Sequence, residues 1–558
     1  MRPSPLDEEA RARPNVELAR WPDVHYLNHE TSVRSWLFTH DHKRIGVMYL
    51  ATVGVFFILG GIYALLIRIQ LLSPESRFVS PLAYNRLFTL HGVTMVWLFM
   101  IPAIPSGLGN FLYPLMIGAK DVAMPRLNLL SLWIFWAGAL LTVIGMLWGG
   151  ADTGWTFYTP YSTTTSTAIV PVLLGVFVIG LSTIATGLNF VVTVHTMRTP
   201  GLGWMRLPLF LWAIYGTALI QLLATPVLGL TVLLVSIEHF AGIGIFDPAL
   251  GGDPILFQHL FWFYSHPAVY IMVLPAMGVI SEVVCAFSRK NVAGYRLIVI
   301  STVGIAGVGF FTWGHHMFTS GQSIPASGAF GILSMFVGIF TAIKVFTWTY
   351  TMYRGAISLR APMIYLFGFL FLLVFGGMTG IALATTSLDL HWQDTYFVVA
   401  HFHYIMVGSV MLAFLAGLHY WWPKLFGKTY FERPATSAAA VVGFGFIATF
   451  TPQFYLGNMG MPRRYAFYPP EFQWLNVAST GGATILAIGI LIATVNLLVS
   501  LRYGAIAGDN PWGSGGFEWM GTTSPPAPHN FTAPPQFPAQ PHDYSVAPRR
   551  TLPRASPP

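Results

Sequence analysis

Windows of about 20 apolar residues, each long enough to cross a hydrocarbon core of about 30 Å, recur about twelve times along the chain. They lie near 45–70, 87–116, 127–149, 168–196, 207–237, 256–285, 297–319, 329–353, 361–386, 395–421, 435–456 and 475–501. Within lipid each segment must bond its own backbone, so windows of this length are helical. Of the 558 residues, 54% are hydrophobic and 9% charged, against about 25% charged in a soluble domain. The expected fold is therefore all-α, a polytopic membrane bundle of about twelve transmembrane helices over 37–503, between an N-terminal extension at 1–36 and a Pro/Gly-rich tail at 504–558.

The loops between the windows are asymmetric. Alternate loops hold Lys120 and Arg126, Arg198 and Arg206, Arg289, Lys290 and Arg296, Arg354 and Arg360, and Lys424, Lys428 and Arg433, whereas the intervening ones hold Arg77, Arg86, Arg463 and Arg464. Positive charge marks the cytoplasmic side, which places both termini there. The net charge of +8 thus signals topology and not nucleic acid. Residues 1–36 lack the apolar core of a signal peptide, so the first span is expected to direct insertion. The tail reads as extended and surface-lying. A lone cysteine, Cys285, excludes an internal disulfide, a Cys-x-x-Cys-His haem site and any two-cysteine copper centre.

Several windows carry imidazoles, which cost free energy in hydrocarbon unless bonded. In VVAHFHYIM, His401 and His403 are two residues apart, so at about 100° per residue they leave a helix on nearly opposite faces and need separate partners. The second window holds His91, the sixth places His266 and Tyr270 four residues apart on one face, and the seventh ends in WGHHMFT with His315 and His316. Packing is as good a reading as ligation for any one of these; six together favour metal. His266, His315 and His316, from two neighbouring helices, form a nitrogen-rich set suited to copper, zinc or iron. His91 can complete an axial pair on a haem iron with one face of the tenth span, and periodicity does not say whether with His401 or His403. Lys344 lies well inside the eighth window, too deep for its charge to reach the interface easily.

These residues sit in HDHKRIG (40–46), GNFLYPLMIGAKDVAMPRLN, GGDPILFQHLFWFYSHPAVY, HHMFT, TAIKVFTW, DTYFVVAHFHY, MPRRY and, in the tail, FEWMGTTSPP. Taken in order over nearly the whole chain, the set resembles catalytic subunit I of the A-type haem-copper oxygen reductases, the branch that includes the cytochrome c oxidases. The resemblance makes His91 and His403 axial ligands of a low-spin haem and His401 the single protein ligand of a high-spin haem, both of the haem A type. It makes His266, His315 and His316 the copper ligands, and Tyr270 the tyrosine cross-linked to a copper-ligand histidine. Arg463 and Arg464 would pair with haem propionates, and Arg68 with the formyl group of the low-spin haem. His259, seven residues before His266 and on its face, has no such role in the family and is expected to pack.

Proton routes are implied in the same way. Lys344 with Thr341, Ser281 and Tyr270 resembles the family's lysine pathway, and Asp121 with Asn110, Asn128 and Asn189 resembles the mouth of a second. Two departures stand out. Most members carry Gly-His-Pro-Glu-Val, whose glutamate ends the second pathway, but here Ser265-His266-Pro267-Ala268-Val269 has no carboxylate. A subgroup has Tyr-Ser before His-Pro, which Tyr264 and Ser265 match, and Tyr264 lies one turn from Ala268. The second is Gln393-Asp394 in place of His-Asp at a magnesium site near the interface with subunit II, which leaves Asp394 as the candidate ligand.

The resemblance implies a terminal respiratory oxidase of the bacterial inner membrane that reduces dioxygen to water and pumps protons. Its cofactors would be two haems, one copper and a magnesium. Its partners would be a subunit II bearing the electron-accepting copper centre that this chain cannot build, subunit III, small subunits, and cytochrome c or a fused haem c domain as donor. A quinol oxidase is the first alternative; Leu59, Tyr63, Ala83 and Arg86 stand where that branch carries charged and polar quinol-binding groups. A nitric oxide reductase would not need the Tyr270 and Lys344 pair, and a secondary transporter would not need six histidines.

Overall fold

A computed structural model describes residues 22–531 and 533–544. Positions 1–21 of the expected N-terminal extension and 545–558 of the tail lie outside the described residues. Eleven helices are long and apolar enough to span a membrane. In chain order with one shorter helix they are α1 (His42–Gln70), α2 (Pro81–Ile117), α3 (Pro125–Leu147), α4 (Ile169–Thr196), α5 (Leu209–Ala241), α6 (Pro254–Ser288), α7 (Tyr295–Gly309), α8 (Ile324–Met352), α9 (Ala361–Leu383), α10 (Tyr396–Phe426), α11 (Glu432–Asn458) and α12 (Pro470–Tyr503). No strand occurs among the described residues, which form two isolated bridges.

Polar caps start several spans. Asp41, Ser80, Asp253 and Ser323 each accept a hydrogen bond from a first-turn N–H, and Pro81 and Pro254 occupy the first helical position, where no donor is lost. Consecutive helices pack side by side, α3 on α4, α4 on α5, α5 on α6, and α11 on α12, while α12 returns to α1. Helix α6 is buried from Tyr270 to Ser288 and forms the interior. Val55, Ile58 and Ile62 on α1 and Ile332, Phe336 and Ile339 on α8 are exposed, as a lipid-facing surface requires.

Two features differ from the sequence reading. The seventh span ends as an α-helix at Gly309, and His315 and His316 lie on a separate 3₁₀ turn, Trp313–Met317. The imidazole trio therefore comes from one helix and one turn, not from two helices. In addition α2 is π-helical over Thr94–Met100 and Ala103–Gly109, and α10 over His403–Gly408. Such widened turns often mark functional positions.

The described part of the tail, up to residue 544, is also not surface-lying. Phe517, Glu518, Trp519, Asn530 and His542 are all buried, because the tail closes the basic end of the bundle. Arg289 donates to the Gly513 carbonyl (2.6 Å), Arg206 to that of Pro538 (2.7 Å), and His542 Nε2 meets Glu282 of α6 at 2.6 Å. The loop cations that mark topology thus also hold the tail.

Candidate functional site

One cavity of about 1060 Å³ runs through the bundle and is lined by all six histidines, with Tyr270, Thr341, Ser265, Arg68, Arg463, Arg464 and Asp394. It exceeds the roughly 300–1,000 Å³ typical of a single small-molecule site.

At its centre His266, His315 and His316 bring one nitrogen each to within 4.8 Å of the others. His266 Nδ1 lies 3.1 Å from His316 Nε2, close to the ~3.3 Å that two nitrogens about 2 Å from one metal would show. The other ring nitrogen of His315 is engaged in a way that fixes its tautomer. Ser334 gives its proton to the Phe330 carbonyl (2.6 Å) and so accepts from His315 Nδ1 (2.7 Å), leaving His315 Nε2 to the trio. His266 Nε2 faces the Tyr270 hydroxyl at 2.9 Å, and Trp262 stacks on His316 at 3.6 Å between ring centres. The α7 backbone passes so close to the Tyr270 ring that a Cβ at Gly309 would collide with it. The donor set, neutral imidazole nitrogens converging on one point, fits copper.

Helix α10 serves two sides. His403 faces His91 of α2 with ring centres 6.5 Å apart and planes within 8°, against the roughly 6 Å that follows when each ring places a nitrogen about 2 Å from a shared metal. His91 Nδ1 is held by the Gly60 carbonyl (2.9 Å) and His403 Nδ1 by that of Val399 (2.8 Å), so both Nε2 atoms are presented inward. The gap fits an iron in a flat macrocycle. His401 points the other way, toward α9, where its Nδ1 bonds the Gly376 carbonyl (3.0 Å) and Thr379 Oγ1 (3.0 Å). A Cβ at Gly380 would lie 2.9 Å from the His401 ring. His91 thus faces His403, the choice that spacing left open. His259 stands apart from the trio and accepts from Trp313 Nε1 (3.3 Å).

Three arginines edge the cavity. Arg68 is buried and donates to the Asn476 carbonyl (2.7 Å) and to Thr480 (3.2 Å). Arg463 Nε donates to Asp394 Oδ1 (2.7 Å), and Asp394 and Arg464 both sit at positive φ, 59° and 72°, an uncommon conformation for residues with a side chain. Arg464 lies over the Phe88 ring; burial lowers its pKa to about 10. Beside Gln393, Asp389 is pushed up to about 7 by burial and then by Asp394.

Lys344 Nζ donates to Thr302 Oγ1 of α7 (2.6 Å) and lies 5.9 Å from the Trp348 ring. Trp348 donates to Ser281 Oγ (3.0 Å), and Thr341 lies one turn nearer the cavity. On the other side of α6, Asp121 Oδ1 accepts from the Val122 N–H (2.7 Å), and burial raises its carboxyl to about 7. Asn189 bonds the Met124 N–H and carbonyl (3.0 Å each), while Asn110 Oδ1 and both amide atoms of Asn128 are buried without a partner among the described residues. Tyr264 is buried and stacked on Trp97, and the hydroxyl of Ser265 is unpartnered. Thr302, Thr379, Ser334 and Trp262 escaped the sequence reading. Only Trp262 carried a signal, its i, i+4 relation to His266.

Three imidazoles converging against a phenol, sharing their cavity with a facing imidazole pair, are the donor set of a metal centre inside a membrane bundle. Residues 44–485 match the family described as Cytochrome C and Quinol oxidase polypeptide I, and the chain belongs to that family. It is 41% identical over 514 residues to cytochrome c oxidase subunit 1 of Thermostichus vulcanus, covering 92% of this chain and 93% of that one. It is also 41% identical over 501 residues to the protein of the same name from Bacillus subtilis (strain 168), covering 89% and 80%. A heme-copper terminal oxidase dimer solved by cryo-electron microscopy shares the fold, with a TM-score of 0.71 at 20% identity over 83% of this chain and 84% of that one. The chain is therefore subunit I of a terminal oxidase, an oxidoreductase integral to the membrane, of a family that uses haem and copper and works with other subunits.

Proposed function

We propose that this chain reduces dioxygen to water with electrons from cytochrome c and couples the reaction to proton pumping. The observation that supports it most is the His266, His315 and His316 cage with Tyr270 2.9 Å from His266, in one cavity with His401. In this reading His91 and His403 hold a low-spin haem A, His401 a high-spin haem A, and the trio a copper. A haem iron held by His401 and a copper held by His266, His315 and His316 would supply electrons for the reduction of dioxygen. Dioxygen takes up four electrons and four protons to give two waters. Tyr270 can give one electron and one proton together, and its bond to His266 holds it at the reacting centre. Lys344, held by Thr302, passes protons by way of Thr341 toward Tyr270, with Ser281 below. Asp121, Asn110, Asn128 and Asn189 collect protons for the second route, which ends at Tyr264 and Ser265 because Ala268 has none to give. Arg463 and Arg464 clamp haem propionates and Arg68 meets the formyl group. Asp394 offers its second carboxylate oxygen to magnesium at the interface with subunit II.

Cytochrome c is favoured over quinol as donor because Leu59 and Ala83 offer no polar group and the Tyr63 hydroxyl is turned to the Met146 sulfur (3.8 Å). Subunit II supplies the copper centre that a chain with one cysteine lacks, and subunit III and small subunits complete the assembly. The basic end faces the cytoplasm of a bacterium, with both termini on that side. A reduced-minus-oxidised spectrum with metal analysis of the purified complex tests the centre: two haems and one copper are expected in this subunit. His91→Ala or His403→Ala removes the low-spin signal, and His401→Ala removes the haem that binds carbon monoxide. Purified protein without haem or copper would sink the assignment, and turnover with quinol but not with reduced cytochrome c would reverse the choice of donor.

A further inference from the structure

Three ionisable side chains that the chemistry above does not use meet where the tail closes the bundle. Glu282 of α6 is 2% exposed, and Glu518 and His542 of the tail are 0% and 3% exposed. His542 Nε2 lies 2.6 Å from Glu282 Oε2, and Glu282 Oε1 accepts from the Phe210 N–H in the first turn of α5 (3.1 Å). Glu518 Oε1 accepts from Trp421 Nε1 of α10 (2.9 Å). Glu518 Oε2 and His542 Nδ1 are buried with no hydrogen-bond partner among the described residues. Two glycines let the tail fold back tightly enough to bring these groups together: a Cβ at Gly515 would lie 2.7 Å from His542 Cα, and one at Gly516 2.6 Å from Glu518 Oε2.

Charge balance limits what the cluster can hold. With His542 protonated against Glu282 that pair is neutral, and an ionised Glu518 would then be a buried charge without a partner, which is strongly destabilising. Lys424 of α10 faces Glu518, but its ammonium bonds the Thr523 carbonyl (3.2 Å) and also faces the Asp509 carboxylate. Arg289, at the exposed edge, is turned to the Gly513 carbonyl. Cys285, Tyr295, Tyr420 and Tyr544 also face the cluster and are uncharged near neutral pH. Burial raises the Glu518 carboxyl above the ordinary carboxylate range, Glu282 raises it further, and His542 opposes the rise.

We propose that Glu282, His542 and Glu518 form a proton-operated latch on the tail. Counted above two carboxylates and a neutral imidazole, the closed latch holds two protons, and the tail opens when the second is lost. Closed, the cluster is neutral. On opening, the proton passes to water and the carboxylate left behind is hydrated. A carboxyl raised in the closed state takes up a proton on closing at any pH between its ordinary value of 4.5 and its raised one. Closure therefore weakens as the pH rises through that range. Asn530 of the same tail bonds Lys43 and the Ala119 carbonyl beside Asp121, so the latch makes the cover over the Asp121 loop sensitive to pH at the basic end of the bundle.

The test follows amide hydrogen exchange of the tail from Gly513 to Tyr544 in the assembled, detergent-solubilised complex, with each variant compared with the unaltered chain at the same pH so that intrinsic exchange cancels. Opening of the unaltered tail should rise with pH by up to about tenfold per unit, the limit for one proton lost per opening. Glu518→Gln keeps the shape and needs no second proton, so its tail should stay closed over the same range. His542→Gln leaves Glu282 without its cation and should open the tail at neutral pH. Infrared spectra give a second readout: a protonated-carboxyl carbonyl band at neutral pH should disappear in Glu518→Gln and equally in Glu282→Gln, because one carboxylate beside the imidazole needs only one proton. Equal pH dependence of opening in the unaltered and Glu518→Gln complexes, a band that survives both substitutions, or a tail that stays closed in His542→Gln would each overturn the proposal. Should the variants fail to assemble, the unaltered complex decides: tail protection, corrected for intrinsic exchange, that does not fall as the pH rises overturns the latch.

Discussion

At the residue scale, Lys344 shows what a sequence discloses and what it withholds. A cation inside an apolar window is conspicuous because hydrocarbon penalises it, but its partner Thr302 is 42 residues away, and one more threonine in a membrane helix attracts no notice. Lys344→Met keeps the length and apolar packing without the ammonium, so metal reduction and turnover should collapse in stopped-flow measurements while both haem spectra persist. Unchanged turnover would show that the pathway is misassigned. Thr302→Val removes the oxygen that accepts from Lys344, a charge-assisted bond of about 1.5–3 kcal/mol. Metal reduction should slow by roughly tenfold or more, and Thr302→Ser should restore it. The facing imidazole pair was similarly half legible: spacing sent His401 and His403 to opposite faces and left open which of them His91 meets, the resemblance named His403, and in the structure it is the His403 ring that His91 faces.

At the element scale, hydropathy located the spans because length and apolarity suffice to define them. It could not locate the end of α7. The window from 297 to 319 is apolar enough overall to read as one span, whereas the helix ends at Gly309, where the Tyr270 ring of another element lies against the backbone. The widened turns in α2 and α10 were hidden for a related reason, since one extra residue in a turn leaves the hydropathy of the window unchanged. Gly309→Ala tests the role of that contact. The added methyl must displace Tyr270, at a cost of about 1–3 kcal/mol for overpacking, and with it the bond to His266. Copper content and carbon monoxide binding should fall, while the low-spin spectrum, which depends on α2 and α10, should be retained. Full copper occupancy in Gly309→Ala would show that the close approach does not set the cage.

At the scale of the whole molecule, the tail is where composition misled. A stretch rich in Pro, Gly and Ser reads as a linker, yet its anchors are single side chains paired with groups hundreds of residues away, which no local window records. Asn530 is the clearest case: its Nδ2 donates to the Ala119 carbonyl (3.0 Å) and meets His42 Nε2 (2.8 Å), and its Oδ1 accepts from Lys43 Nζ (2.7 Å). Those partners surround Asp121, whose carboxyl is raised from 3.8 to about 7 chiefly by burial, with Asp41 adding to the rise and Lys43 opposing it. A carboxyl raised in this way holds its proton in the folded state over a range where the unfolded chain has released it. Stability therefore falls as the pH rises from about 4 to about 7 and levels off above that. Asn530→Ala removes the residue that ties the tail to the Asp121 loop and lets water reach Asp121, so its pKa should drop toward the ordinary value. The fall in Tm between pH 4 and 7, measured on the detergent-solubilised complex, should become shallower in Asn530→Ala and lose the Asp121 contribution entirely in Asp121→Asn. Haem and copper content should be unchanged in both. If Asp121→Asn keeps the full slope, another group titrates in that window; if Asn530→Ala alone keeps it, the tail closes the bundle without setting the environment of Asp121.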